Sequence, residues 1–427
     1  MKYINTQEIT PQQLAQSLQR PAFDYSARVE QVQPIINKVK AEGDSALQDF
    51  NAKFDGIDTP ISCVSQDVSQ KDLESLDPKI RESFEVAIAN ITKFHESQKN
   101  TEHLVETMPG IQCWRESRAI DTVGLYIPGG TAVLPSTLMM LAIPAKIAGC
   151  EKIVVCTPPQ KDGNISKEIL ALCAMLDLKN IYAVGGAHSV AAMAYGTEQI
   201  PKCDKIFGPG NQFVTVAKML VSQDPYGAAI DMPAGPSEVL VVADEHANAS
   251  FVAADLLSQA EHGVDSHVVC VVLSSEKGKE IEQKLGVQLM QLSRSEIAQQ
   301  ALEKSVMIQV SNRNEAIEVS NQYAPEHLIL HLDDVDTVLS SITNTGSVFV
   351  GQWSPESVGD YASGTNHTLP TFGFAKSYSG VSLDSFVKKV TFQKLSKEGL
   401  QNISDTVINL ADLEELDAHA NAVKVRL

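Results

Sequence analysis

No stretch of this sequence is apolar for long enough to span a membrane, since the most apolar run, Val133 to Ala148, is broken by Pro135, Pro144 and Lys146. Near the N-terminus, Met1-Lys2-Tyr3-Ile4-Asn5 gives way to polar residues from Thr6 to Gln19, without the basic-then-apolar pattern of a secretory signal. Paired cysteines are missing too. Cys63, Cys113, Cys150, Cys156, Cys173, Cys203 and Cys270 are scattered, odd in number and free of any Cys-x-x-Cys spacing. Neither a disulfide framework nor a zinc ribbon is therefore expected, and a reducing, cytoplasmic location is the simplest reading. Positive charge is scarce: 34 Lys and Arg stand against 53 Asp and Glu, a formal net charge of −19. That balance excludes non-specific nucleic-acid binding, which needs clustered Lys and Arg to displace counterions. What remains is 427 residues, 43% hydrophobic and 20% charged, enough for two or more globular domains.

Residues 7 to 100 read as helical. Val29, Val32, Ile35, Ile36 and Val39 recur at helical spacing, as do Leu73, Leu76, Ile80, Phe84, Ala87, Ile88 and Ile91; Gly56 and the turn-rich stretch Ser65 to Ser69 punctuate them. From Val123 short apolar runs alternate with helical stretches. Val123–Ile127, Ile153–Cys156, Ile181–Val184 and Lys205–Phe207 form one series. Val239–Val242, His267–Leu273, Val306–Val310, Leu328–Leu330 and Ser347–Val350 form a second. Such alternation predicts βαβ units around parallel sheets, hence an α/β fold with two domains. A helical tail is expected from about Asp384, and no internal repeat has a convincing period.

Six segments carry candidate chemistry. Gly124-Leu-Tyr-Ile-Pro-Gly-Gly130, Val184-Gly-Gly-Ala187 and Phe207-Gly-Pro-Gly-Asn211 are glycine turns between strand and helix, where a backbone can approach a phosphate. None fits the dinucleotide fingerprint, because Phe213 occupies the third glycine position of the last one. Each alone reads first as a structural turn; three in one domain favour an anionic, nucleotide-like ligand. In Gln259-Ala-Glu-His262-Gly263, Gln259 and His262 share a helix face, a pairing open to metal or to a plain helix end. Glu326 and His327 follow Pro325, whose fixed φ suits the first position of a helix. From a turn or helix start the two offer proton-transfer groups of different basicity; an exposed polar turn is the other reading. The run from Trp353 through Asp360 to His367 is dense in polar groups and glycines after an apolar strand, where α/β enzymes present ligand loops. Glu414 and His419 lie in an acidic helix and by themselves suggest no role.

Together these segments resemble histidinol dehydrogenase over nearly the whole chain, most specifically in Asp231-Met-Pro-Ala-Gly-Pro-Ser237-Glu-Val-Leu240, Leu256-Leu-Ser-Gln-Ala-Glu-His262, Pro325-Glu-His327 and Gly359-Asp-Tyr-Ala-Ser-Gly-Thr-Asn-His367. The resemblance implies two incomplete Rossmann-like parallel-sheet domains with small helical end segments, in an intertwined homodimer. The organisation expected is a helical segment 1–22, an α/β domain from 23–122 plus 239–380, an NAD-binding domain 123–238, and a tail 381–427 crossing to the partner subunit. It further implies one Zn2+ per subunit held by Gln259, His262, Asp360 and His419, with Glu326 and His327 as the acid–base pair. Ser237, His327, His367 and Glu414, with the metal ligands, would contact the substrate L-histidinol; Tyr126, position 188 and Asn211 would contact NAD. Position 188 departs from the family, which commonly has Gln where this chain has His188. Because histidine can also donate a hydrogen bond, NAD binding is expected to persist, with the contact at His188 itself left open.

The chemistry implied is a zinc- and NAD-dependent four-electron oxidation of L-histidinol through the aldehyde to L-histidine. His327 accepts the alcohol proton, and Glu326 activates water for the second oxidation. The rivals are a dehydrogenase of another small polar alcohol, a zinc hydrolase using the same Glu, His and metal, and a silent binding protein.

Overall fold

Valine-rich strands such as Glu238–Ala243 and His267–Val272, buried at every position, build parallel sheets covered on both faces by helices. The computed structural model describes residues 1–21, 24–64, 70–99, 102–129 and 133–427. The stretch Ser65–Ser69, Gly130 of the first glycine turn and the expected border at residues 22 and 23 lie outside the described residues.

In chain order the elements begin with β1 (Lys2–Asn5), α1 (Pro11–Ser17), α2 (Tyr25–Glu42), α3 (Asp44–Phe54), α4 (Gln70–Glu74), α5 (Pro78–Glu96), β2 (Val105–Met108) and β3 (Ile111–Ala119). Next come β4 (Thr122–Tyr126), α6 (Pro135–Ala148), β5 (Lys152–Thr157), α7 (Lys167–Met175), β6 (Asn180–Ala183), α8 (Gly186–Tyr195), β7 (Lys205–Phe207), α9 (Gln212–Gln223) and β8 (Ala229–Ile230). A second α/β series follows: β9 (Glu238–Ala243), α10 (Ala249–Ala260), β10 (His267–Val272), α11 (Ser275–Leu289), α12 (Ser295–Glu303), β11 (Val306–Gln309), α13 (Arg313–Tyr323), β12 (His327–His331), β13 (Ser347–Val350) and α14 (Glu356–Tyr361). The chain ends in β14 (Val387–Leu395), α15 (Lys397–Leu413) and α16 (Asp417–Lys424).

One parallel sheet runs β6-β5-β4-β7-β8 and the other β1-β11-β10-β9-β12-β13. Without β1 the two have the same order, the first strand of each series lying central and the chain winding outward both ways. That repeat of topology is invisible in the sequence. Side-chain alternation divides each core in two. Val239, Val241 and Ala243 face the layer of α10, α11 and α12, whereas Leu240 and Val242 face α13. Among the described residues, no helix is long and apolar enough to cross a membrane.

Three expectations change. Segment 1–22 is not only helical, because β1 pairs with β11 as the edge of the six-stranded sheet. Helices α2, α3 and α5 were expected with the 239–380 domain, but Val32, Ile36, Leu47 and Phe50, and likewise Phe84 and Ile91, bury their apolar faces against the five-stranded sheet and its helices. Helical periodicity names the face that is buried but not the surface it meets. The tail is not wholly helical: β14 pairs antiparallel with β3, which pairs with β2.

Candidate active site

The cleft forms where chain segments enter the six-stranded sheet. Helix α10 is capped by Asn248 at its start and closes at Glu261, which keeps Gln259 buried on the last turn and leaves His262 on the rim beyond it. Gln259 Nε2 lies 2.9 Å from His262 Nδ1, and the amide's oxygen is buried without a partner. Pro325 does not start a helix, contrary to the sequence reading. Ala324, at φ +54, ends α13, and His327 opens β12 between Val239 of β9 and Ser347 of β13. Strand geometry sends the neighbouring side chains Glu326 and His327 apart. Both still reach one cleft because Glu326 sits just before the strand, where its Oε2 accepts the Glu238 N–H at 3.0 Å.

Helix α14 brings in Asp360 and, one turn earlier, Glu356. His327 Nδ1 lies 3.5 Å from Glu356 Oε1 and 3.7 Å from Glu326 Oε2, and its Nε2 is 3.6 Å from Asp360 Oδ1. Among the described residues neither ring nitrogen finds a hydrogen-bond partner, and the same holds for the buried Glu356 Oε2 and His367 Nε2. Buried polar atoms are nearly always paired, so this concentration of orphans around one cleft fits a polar or cationic ligand. His327, Glu356 and Asp360 offer ligand atoms within 4.8 Å of one another, a second possible metal set sharing Asp360 with the first. Glu356 was not singled out from the sequence. Its spacing of four from Asp360 on a helix was the available signal.

Burial sets the protonation states. It pushes His327 down to about 3, aided by His262 and His367, and His367 down to about 4. It raises Asp360 to about 7 and lifts Glu356 well above the carboxylate range, as it does Glu326, where the charge of Glu238 adds to the effect. Burial by itself thus favours the neutral forms of these groups, a preference that a cation would reverse at the carboxyls.

Behind Glu326, the guanidinium of Arg20 pairs with the buried Glu238, donates to the Tyr323 carbonyl at 2.8 Å and lies 4.0 Å over the Tyr323 ring. Arg20, from the N-terminal segment, is a second residue the sequence reading missed.

A cavity of about 610 Å³ is lined by Ser237, His262, Glu326 and His367 and continues to Asn211 and Phe213. Asn211 and Phe213 also line a second cavity, of about 1080 Å³, together with Tyr126, Gly186 and His188. The three expected dinucleotide contacts therefore share one space. Asn211 caps α9, its Oδ1 accepting from Phe213 and Val214 N–H at 3.0 and 3.2 Å. The Tyr126 hydroxyl receives the Gly186 N–H at 3.4 Å, and α8 starts there without a side-chain cap, leaving its N-terminus suited to an anion. His188 differs from expectation: its Nε2 is engaged 3.0 Å from Asn51 Oδ1 and not offered to the cavity.

Glu414 and His419 are not brought to the cleft within one chain. Both are exposed, on a tail whose α15 packs on α16 and β14. The same tail exposes Leu410, Leu413, Leu416, Val425 and Leu427.

A family model described as histidinol dehydrogenase matches residues 18–427. A chloroplastic histidinol dehydrogenase of Arabidopsis thaliana is 50% identical, covering 100% of this chain and 91% of that protein. A histidinol dehydrogenase of Bacteroides thetaiotaomicron is 51% identical over 97% of each. The crystal structure of histidinol dehydrogenase from Elizabethkingia anophelis superposes with a TM-score of 0.95 at 47% identity, covering 100% of this chain and 98% of that one.

Proposed function

The chain belongs to the histidinol dehydrogenase family, and from that premise we propose that it carries out the zinc- and NAD-dependent four-electron oxidation of L-histidinol to L-histidine via L-histidinal. The observation that carries the reading is that Ser237, His262, Glu326 and His367 line one cavity, with Gln259 against His262 and His327 between Glu326 and Asp360, and that this cavity meets a glycine-lined one at Asn211.

Gln259, His262 and Asp360, with His419 from a second copy of the chain, would hold Zn2+. The exposed apolar face of the tail supports such an exchange between two copies. The bound metal would orient and polarise the substrate's amine and hydroxyl, while NAD, against Tyr126, His188 and Asn211, supplies the hydride acceptor. Burial keeps His327 neutral, so its free ring nitrogen accepts the alcohol proton. Glu326 is fixed by the Glu238 N–H and made more basic by burial, and its ionised form draws a proton from the water that attacks the aldehyde. Ser237 and His367, with Glu414 from a second copy of the chain, position the substrate. None of the seven cysteines forms a disulfide among the described residues, which supports a reducing compartment, and the cytoplasm is our assignment.

The test is the NADH yield from a limiting amount of L-histidinol, with zinc and after chelation. Two NADH per substrate, lost on chelation and restored by zinc, is the expected result. One NADH per substrate would reduce the enzyme to a simple alcohol dehydrogenase, and none would reject the substrate. Metal analysis of His419→Asn and Glu356→Gln separates the two ligand sets. Zinc lost only from His419→Asn supports the first; zinc lost only from Glu356→Gln supports the second.

A further inference from the structure

The second cavity contains a histidine whose hydrogen-bonding polarity is fixed from behind. His188, in the first turn of α8, is buried with its Nε2 3.0 Å from Asn51 Oδ1. Asn51, on α3 and 2% exposed, donates its Nδ2 to the Ala183 carbonyl at 3.0 Å. A carbonyl accepts only, so the amide nitrogen must face Ala183 and the amide oxygen must face the ring. That oxygen also accepts only. Nε2 must therefore carry the ring proton, leaving Nδ1 as a lone pair. Phe50 and Phe54 flank the ring at 5.5 and 5.9 Å, and burial pushes its pKa down to about 3, which excludes the doubly protonated form near neutrality. Nδ1 has no hydrogen-bond partner among the described residues. It lies beside Gly186, 3.4 Å from where a Cβ there would sit, and the ring lines the cavity with Tyr126 and Asn211.

We infer that Asn51 is a positioning residue of the dinucleotide cavity, holding His188 as the Nε2–H tautomer so that Nδ1 accepts a hydrogen bond from a donor on the ligand. The donor class is a hydroxyl or amide N–H, as a dinucleotide offers on its riboses and carboxamide. A glutamine here could turn either end of its amide to the ligand, whereas this histidine presents an acceptor alone. Phosphate oxygens, which need donors, are left to the uncapped N–H groups of α8. The inference rests on the reading of this cavity as the NAD site.

Two measurements on the zinc-loaded enzyme test it. Neutron diffraction from deuterium-exchanged crystals is expected to place deuterium on His188 Nε2 and none on Nδ1; deuterium on Nδ1 overturns the assignment. Calorimetric titration with NAD is expected to give a Kd about five- to tenfold weaker for Asn51→Leu, the cost of one misdirected hydrogen bond. The KM for L-histidinol should move less than twofold, a split that general loosening of the fold would not produce. An unchanged Kd for NAD overturns the positioning role. Should Asn51→Leu not fold, the deuterium position still decides. Absence of NAD binding by the wild-type enzyme would instead remove the cofactor reading while leaving the tautomer measurable.

Discussion

In the five-stranded sheet, Tyr126, Gly185–Gly186 and Gly208–Asn211 leave the carboxyl ends of β4, β6 and β7. In the six-stranded sheet, of the same strand order, Ser237, Glu326 and His327 instead sit at the amino ends of β9 and β12. The surroundings differ accordingly. At the carboxyl ends, helices begin, and the N-termini of α8 and α9 present N–H groups that favour anions. At the amino ends, helices finish, and Gln259 and Asp360 lie on the last turns of α10 and α14, where partial negative charge favours cations. One topology used from opposite ends thus sets positive helix ends at one cleft and negative helix ends at the other. The Asn211–Phe213 segment lies between them. The sequence reading put the Trp353–His367 run at the usual carboxyl-end position. In fact α14 folds back and returns Asp360 to the amino ends.

The comparison breaks most sharply at Glu326. Replacing it with Gln should slow oxidation of L-histidinal by roughly 10²- to 10⁴-fold and the first hydride transfer from L-histidinol far less. Single-turnover NADH formation from each substrate reads this directly, and equal losses would contradict the division of labour between Glu326 and His327.

Arg20→Met removes the one ion-pair partner that the buried Glu238 carboxylate has among the described residues and should cost about 3–5 kcal/mol in urea denaturation. A loss under about 1 kcal/mol would mean that Glu238 simply takes up a proton.

At the carboxyl-end cavity, Gly208 has φ +125, and a Cβ there would sit 2.1 Å from the Tyr126 carbonyl oxygen. Gly208→Ala should therefore lose about 2–3 kcal/mol of stability and weaken NAD binding, with zinc content intact. Zinc loss in this variant would show that the two clefts are not separable.

The smallest expected effect concerns pH. Burial pushes His188 down to about 3 from its ordinary 6.5. Below pH 6.5 the unfolded chain binds a proton that the folded one refuses, so this contribution is complete above 6.5 and falls away as pH drops towards 3. Unfolding free energies between pH 7.5 and 5 should fall less steeply for His188→Gln than for wild type, by up to about 1.4 kcal/mol per pH unit. Parallel slopes would mean that the ring titrates in the folded protein.

Much of the site was legible because its chemistry is local. Gln259 and His262 are three residues apart, Glu326 and His327 are adjacent, and the glycine turns announce strand-to-helix junctions. Glu356 was legible in principle through its spacing from Asp360. Arg20 and Asn51 were not. Each acts across a large sequence separation, Arg20 on Glu238 and Asn51 on His188, and no periodicity encodes which distant polar group an amphipathic segment will meet.

Taken alone, the sequence determined the βαβ alternation, the buried strands and the candidate chemical groups, because propensity and side-chain periodicity act over a few residues. Only the tertiary structure decided that α2, α3 and α5 cover the five-stranded sheet, that β1 extends the other, and that β14 joins β3. It also decided which ends of the two sheets carry the clefts. Those outcomes depend on which apolar faces find each other and on where helix ends fall relative to strands, which are properties of the packed chain rather than of any segment in it.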